Sequence, residues 1–151
     1  MSVHIRLMSI DDYDGVCNMW VNTPGMGLNS TDDSREGIEK YLKRNPTTSF
    51  VAECNGTIVG AIMAGHDGRR GYIHHTAVLP DYRNQGIARR LVECAMSALD
   101  KEGINKAALV AFKTNDTGNA FWESVGFTGR DDLVYRNKNI HTLNKIDTYP
   151  H

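Results

Sequence analysis

Three absences narrow what this 151-residue chain can be. Its cysteines, Cys17, Cys54 and Cys94, are odd in number, lie far apart and form no C-x-x-C pair, which argues against a disulfide framework or a zinc knuckle. No apolar run approaches the ~18 residues of a membrane span, and the N-terminus turns acidic too early for a signal peptide. We therefore expect a cytoplasmic protein with reduced thiols, no metal and no membrane partner.

The chain also lacks an excess of either charge. Lys and Arg number 17 against 18 Asp and Glu, a formal net charge of −1, so the overall charge does not favour nucleic acid or an anionic surface as a partner. Neither G-x-x-x-x-G-K-[ST] nor G-x-G-x-x-G occurs, which excludes the two most familiar nucleotide loops. Any anion site must therefore be local and of another kind.

The apolar pattern predicts one mixed α/β domain over residues 1–151, with a core over about 3–138 and a polar tail that frays after residue 139. Asn55-Gly56 between two apolar runs predicts a β-hairpin, and residues 21–33 read as a loop. The pattern also predicts a parallel βαβ crossover. It consists of a strand over 72–79, a helix from about 87 and a strand over 106–112 that is covered on both faces. "DLVYRN" is predicted as the last strand, and the helix stripe as Ile87, Leu91, Cys94, Ala95 and Ala98.

The run "PDYRNQGIARRLV" begins as a turn and continues with helical spacing. The first amides of a helix have no intrahelical partner and lie at the positive end of its dipole, so they can bind a phosphate. Gly86 lets the backbone approach a ligand, Ala88 keeps the next position small, and Arg83 and Arg89 can add charge-assisted hydrogen bonds. The run therefore predicts a pyrophosphate site, or alternatively a turn shaped by Gly86 beside a solvated arginine face.

Two motifs together resemble a known family. "AVLPDYRNQGIARRLV" is similar to the acyl-coenzyme A pyrophosphate motif of the GNAT superfamily of N-acetyltransferases, at Arg83, Gly86 and Ala88. "NDTGNAFWESVGF" resembles the second signature of that family, which begins at Asn115 and closes on Gly-Phe. The resemblance implies an α/β (α+β mixed) fold with a central, mostly antiparallel sheet of six to seven strands, one parallel βαβ crossover and about four helices.

The same resemblance implies acetyl-CoA as the cosubstrate. The turn would hold its pyrophosphate, two strand residues and Asn115 would hold the pantetheine arm, and a backbone N–H near Val78 would bind the oxyanion. The strands flanking the crossover would splay apart to admit the thioester. The cofactor-binding residues implied in this way are Ala77, Val78, Arg83, Asn84, Gln85, Gly86, Ile87, Ala88, Arg89, Asn115, Phe121 and Trp122.

Acetyl transfer to an amine also needs a group that takes a proton. Strand alternation places His74 and His75 on opposite faces, so that only one of them faces the cofactor. Some amine acetyltransferases of the family carry histidine at the position that matches His74, and an imidazole titrates in the useful range. His74 is therefore the predicted base and Glu53 the second candidate; the alternative is that both histidines are ordinary strand residues.

Trp122 departs from the family pattern, which often has tyrosine there. An indole N–H can donate a hydrogen bond to sulfur but cannot act as a conventional general acid. We therefore carry two hypotheses: an enzyme that acetylates a primary amine of a small molecule or peptide by direct attack on the thioester, and a non-catalytic acyl-CoA-binding sensor of the same fold. A homodimer is an expectation from the fold class alone.

Overall fold

Seven strands and four α-helices form along residues 2–148, the part of the chain that the computed structural model describes. Within that part no helix is both long enough and apolar enough to cross a bilayer. In chain order the elements are β1 (His4–Leu7), α1 (Tyr13–Val21), β2 (Gly27–Asn29), α2 (Arg35–Arg44), β3 (Phe50–Cys54), β4 (Thr57–His66), β5 (Gly71–Val78), α3 (Ile87–Lys101), β6 (Ala107–Ala108), α4 (Asp116–Ser124) and β7 (Lys145–Asp147).

The central sheet has the strand order β1-β3-β4-β5-β6, antiparallel throughout except for the parallel pair β5 and β6. The β3–β4 hairpin turns at Asn55 and Gly56, whose φ angles of 51° and 78° are those that a two-residue primed turn requires. These features confirm the mixed α/β fold with its single parallel crossover. Five of the described strands form this sheet, while β2 and β7 pair separately as a two-stranded sheet.

Two apolar clusters cover the two faces of the central sheet. One contains buried residues of α1 and α2, with Trp20 fully buried at its centre, and the other packs α3 against the opposite face. Strand β4 lies between the clusters, so its residues 58–65 are all buried. On α3 the buried stripe includes Val92 and Leu99, whereas Cys94 and Ala98 are only partly buried, which corrects the predicted stripe.

The C-terminal third differs from the sequence prediction in two strands. Residues 132–137, predicted as the last strand, have no regular structure and are exposed, because no neighbouring strand pairs with their backbone N–H and C=O groups despite their β-forming side chains. The predicted strand over 106–112 shrinks to β6 and is not covered on both faces, because the chain leaves β5 after Ala108.

The tail and the first long loop also behave differently from the prediction. Residues 27–29 of the predicted loop form β2, which pairs antiparallel with β7 in the predicted fraying tail. Both strands are only three residues long and carry no clear alternation, so the partner far along the chain defines them rather than their own sequence. Tail residues 149–151 lie outside the described residues.

A pair of variants on α3 tests this account of the core. Leu91 is fully buried, and Leu91→Ala should lower the free energy of unfolding by about 3 kcal/mol because it removes buried methyl groups and leaves a cavity. Met96 lies on the same helix but is 37% exposed, so Met96→Ala should cost less than about 1 kcal/mol. Urea unfolding curves of both variants measure the difference, and equal losses would contradict the assigned face.

Candidate active site

The turn before α3 presents backbone amides to the surface. Asn84 and Gly86 both have left-handed backbone angles, with φ of 63° and 77°. The first hydrogen bond of the helix runs from the Arg90 N–H to the Gly86 carbonyl oxygen, at 3.1 Å. The backbone amides of the three helical residues before Arg90 therefore have no partner within the helix and point out of its end. A Cβ placed on Gly86 would meet nothing within 4 Å, which means that the turn faces open space.

That open space is a cavity of about 420 Å³, here called the helix-turn cavity. Every residue that the resemblance implied for cofactor binding lines it except Gln85. Arg90 is not among the lining residues, since its Nη2 donates to Val3 O at 3.2 Å. The implied residues that line the helix-turn cavity are Ala77, Val78, Arg83, Asn84, Gly86, Ile87, Ala88, Arg89, Asn115, Phe121 and Trp122.

A second cavity of about 640 Å³, here called the histidine cavity, lies between β5 and the chain that follows β6. It exists because β5 and β6 pair only at Gly71 with Ala107 and at Tyr72 with Ala108. Beyond that point residues 109–112 form one wall and β5 forms the other. The lining residues are Gly25, Met26, Gly27, Tyr72, Ile73, His74, His75, Thr76, Leu109, Val110, Ala111, Phe112, Asn115, Trp122 and Tyr135.

The two cavities meet at a shared boundary. Thr76, Asn115 and Trp122 line both of them, as do Gly25 and Met26 from the loop after α1. The Asn115 side chain is fixed there as the N-cap of α4, because its Oδ1 accepts the N–H of Gly118 at 3.0 Å. The arrangement can therefore hold an extended anionic ligand in one cavity with its end at the mouth of the other.

A bulge changes which way the two histidines point. In the β4–β5 pair Ile62 lies opposite Thr76 and Ala64 lies opposite Ile73, so His74 and His75 together face one residue of β4. Such a bulge interrupts the alternation of side chains along a strand. Both histidines consequently line the histidine cavity and neither lines the helix-turn cavity, so the predicted placement of the two on opposite faces was wrong.

His74 lies at the open side of its cavity among other rings. Its ring centroid is 5.5 Å from that of Tyr41 and 4.7 Å from that of Tyr72. Although the residue keeps an exposed surface, burial of the ring against these neighbours lowers the pKa of His74 below its ordinary value, and His75 adds to the effect. Asp33 and Asp32 act in the opposite direction without cancelling it. His74 is therefore neutral at physiological pH.

His75 is held by a carboxylate that the sequence analysis missed. Its Nε2 lies 2.6 Å from Asp33 Oδ1, so Nε2 carries the proton that the carboxylate accepts. Asp33 Oδ2 accepts the N–H of Asn29 at 2.8 Å, and the Trp20 ring packs edge-on against His75 at 4.9 Å. Ser34 caps α2, which leaves the carboxylate of the preceding Asp33 available to reach β5.

Glu53 lies elsewhere. On β3 its carboxylate pairs with Arg6 at 3.3 Å, and Arg6 also pairs with Asp12 at 2.8 Å. Burial raises the pKa of the Asp12 carboxyl, but the hydrogen bonds from Arg6 and Ser9 outweigh it and the net shift is downward. Glu53 lines neither cavity. Within residues 2–148 no cluster of three or more His, Cys, Asp or Glu side chains is arranged to hold a metal ion.

Trp122 is both a packing residue and a lining residue. Its ring contacts Phe121 at 5.1 Å and Phe127 at 5.2 Å between centroids, in the cluster on the α3 side of the sheet. The same residue lines both cavities at their boundary. Ser124, two residues further along α4, donates its hydroxyl to Phe121 O at 2.6 Å and lines neither cavity.

Comparison with known sequences gives a family match over most of the chain. Residues 14–127 match the acetyltransferase (GNAT) family. An acetyltransferase of Yersinia pestis is 32% identical over 132 residues, which are 87% of this chain and 92% of the relative. An acetyltransferase of Pectobacterium atrosepticum is 33% identical over the same shares of the two chains.

Solved structures show the same fold at lower identity. The PaiA N-acetyltransferase of Thermoplasma acidophilum, crystallised with coenzyme A, superposes with a TM-score of 0.75 at 18% identity and covers 99% of this chain and 100% of its own. The AAC(6')-Iy structure with a bisubstrate analogue gives 0.68 at 18% identity, over 92% and 99% of the two chains. At this identity the likeness concerns the fold.

Proposed function

The chain belongs to the acetyltransferase (GNAT) family, whose cosubstrate is acetyl-CoA, and on that premise we propose that it acetylates a primary amine of a small molecule or peptide. The observation that carries this proposal is the junction of the two cavities at Thr76, Asn115 and Trp122. A thioester lying across this boundary has room for an amine on its far side. Relatives named as acetyltransferases support the reaction class, and their names do not specify the acceptor.

The helix-turn cavity fits the acyl carrier in shape and charge. The free amides at the start of α3 and the left-handed Gly86 form a cradle for a pyrophosphate, since amides there lie at the positive end of the helix dipole. Arg83 and Arg89 line the same cavity and add positive charge. The proposed contacts of the pantetheine arm are Ala77 and Val78 on β5 and Asn115 at the start of α4, which all line this cavity.

In the proposed reaction the amine nitrogen attacks the thioester carbon, the carbon–sulfur bond breaks and CoA leaves as the thiolate, which takes up, directly or through water, the proton that the nitrogen loses as it becomes an amide. The acceptor arrives as an ammonium ion, and His74 takes its proton, directly or through water, so that a lone pair becomes available. The lowered pKa of His74 keeps it in the neutral, proton-accepting form down to more acidic pH than an ordinary histidine. The N–H near Val78 is the proposed donor to the oxyanion.

The thiolate leaves with limited help from the protein. Trp122 can donate a hydrogen bond from its indole nitrogen but retains its proton. Two other hydroxyl groups could protonate the thiolate in its place: Ser124 is bonded to a backbone carbonyl and lines neither cavity, whereas Tyr135 lines the histidine cavity. A thiol is a good leaving group near neutral pH, so transfer does not depend on a phenol at position 122.

The competing function is an acyl-CoA sensor that binds without efficient transfer, and Trp122 is the residue that favours it. Free thiol release from acetyl-CoA, measured with a panel of amines and peptides, distinguishes the two. We expect amine-dependent release at least about tenfold above hydrolysis, because a positioned base and oxyanion donor accelerate attack. If acetyl-CoA raises the melting temperature while no acceptor releases thiol, the protein is a sensor.

Gly86→Val tests the pyrophosphate cradle. The substitution forces a side chain into the helix-turn cavity at a left-handed position, so CoA affinity should fall at least about tenfold by isothermal calorimetry. Gly68→Val is the matched control, because Gly68 also has a positive φ, of 94°, with open space around it, but lies in the turn between β4 and β5 and lines neither cavity. Equal affinities for the two variants would refute the cradle.

His74→Ala tests the proposed base through its pH profile. The neutral imidazole is lost on acidification, so kcat/KM of the unmodified protein should fall only as pH drops through the lowered pKa of His74. The variant should lose about 10²-fold in kcat/KM near pH ~6.5 and less near pH ~9, where more of the amine is already neutral. His4→Ala removes an exposed histidine of β1 and should keep the original profile. An unchanged profile in His74→Ala would exclude the role.

A further inference from the structure

The wall of the histidine cavity is rich in rings and free of fixed charge. Among the lining residues, all within the described part of the chain, there is no Asp, Glu, Lys or Arg. The rings of Tyr72, His74, Phe112, Trp122 and Tyr135 line it instead. The helix-turn cavity next to it differs, since two arginines line that one.

Asp33 and Asp32, the two carboxylates whose charge acts on His74, already have partners. Asp33 is only 10% exposed and is bonded to His75 on one oxygen and to the N–H of Asn29 on the other. Asp32 accepts a hydrogen bond from Asn29 Nδ2 at 3.1 Å. Neither carboxylate lines the cavity, so neither offers an oxygen to a bound cation.

This wall has a clear consequence for the charge of a ligand. An amine brought against a desolvating wall without a counter-charge has a lowered pKa, which favours the neutral nucleophile needed for attack. A second or third ammonium on the same molecule gains nothing from this effect, and where it enters the cavity it gives up water without a carboxylate among the lining residues to replace it. Flat apolar bodies, in contrast, can pack against the ring faces and edges of the wall.

We propose that the acceptor is a primary monoamine carried on a flat aromatic or apolar body, rather than a polycation such as a polyamine or an aminoglycoside. This substrate class rests on the proposed acetyl transfer and assigns the histidine cavity to the body of the acceptor. The amine end lies at the boundary near Thr76 and Trp122, next to His74, and the body lies between β5 and residues 109–112.

A matched pair of acceptors isolates the effect of a second ammonium group on kcat/KM. Pentylamine and 1,5-diaminopentane differ by one terminal ammonium group, so the ratio of their kcat/KM values reports the cost of a second charge. We expect pentylamine to be preferred by about tenfold or more, and 2-phenylethylamine to exceed pentylamine because its ring adds contact area. A preference for the diamine or for an aminoglycoside such as kanamycin would overturn the proposal.

A variant in the wall should shift this preference in a defined direction. Val110 lines the cavity and is 57% exposed, so a longer polar side chain is tolerated there. Val110→Glu should raise kcat/KM for 1,5-diaminopentane relative to pentylamine by about threefold, since it adds a carboxylate at a partly solvated position. Val110→Gln has the same shape without the charge and should leave the ratio unchanged. A ratio that does not move in Val110→Glu contradicts the assigned cavity.

Failure of the substrate class can be told apart from failure of the transferase function. If polycations are the better acceptors, acetyl transfer stands and the monoamine class is wrong. If no amine supports thiol release, the transferase function is wrong, and the same amines are then compared by thermal shift in the presence of CoA. A larger shift with 2-phenylethylamine than with 1,5-diaminopentane supports the assigned cavity chemistry, and the reverse order refutes it.

Discussion

The parallel contact between β5 and β6 lasts for two residue pairs and then ends, and both cavities depend on that divergence. Helix α3 packs against β4 and β5 and fixes where the crossover returns to the sheet, so the returning chain can pair at Ala107 and Ala108 but then moves away. The separation leaves β5 backbone and side chains open on one edge. Because the start of α3 lies at the same end of β5, free amides and an open strand edge occur together.

A division of charge runs along this open edge. The helix-turn cavity combines helix amides with Arg83 and Arg89, whereas the histidine cavity has no fixed charge among its described lining residues. In the proposed function this division stabilises an anionic carrier at one end and a neutral amine at the other. The Asp33–His75 contact occupies the Asp33 carboxylate and ties the loop before α2 to β5.

Much of the cofactor side of the site could be predicted from the sequence, because it depends on local structure. Gly86 and the residues after it become a helix start wherever the chain folds, and the amides of a helix start are unpaired for a purely local reason. Asn115 caps its helix in the same local way. Strands such as β2 and β7 could not be predicted, since each is defined by hydrogen bonds to a partner far away in the chain.

The orientation of the two adjacent histidines could not be predicted from a local sequence pattern. A period-two strand pattern places adjacent histidines on opposite faces, and only the bulge against β4 turns both His74 and His75 into one cavity. The sequence by itself determined the β3–β4 hairpin, the helix start at Gly86 and the family motifs, because these follow from short-range patterns. The tertiary structure decided the shape of the histidine cavity, the Asp33–His75 contact and the position of Glu53 beside Arg6, away from both cavities. Each of these depends on which distant strands and loops meet.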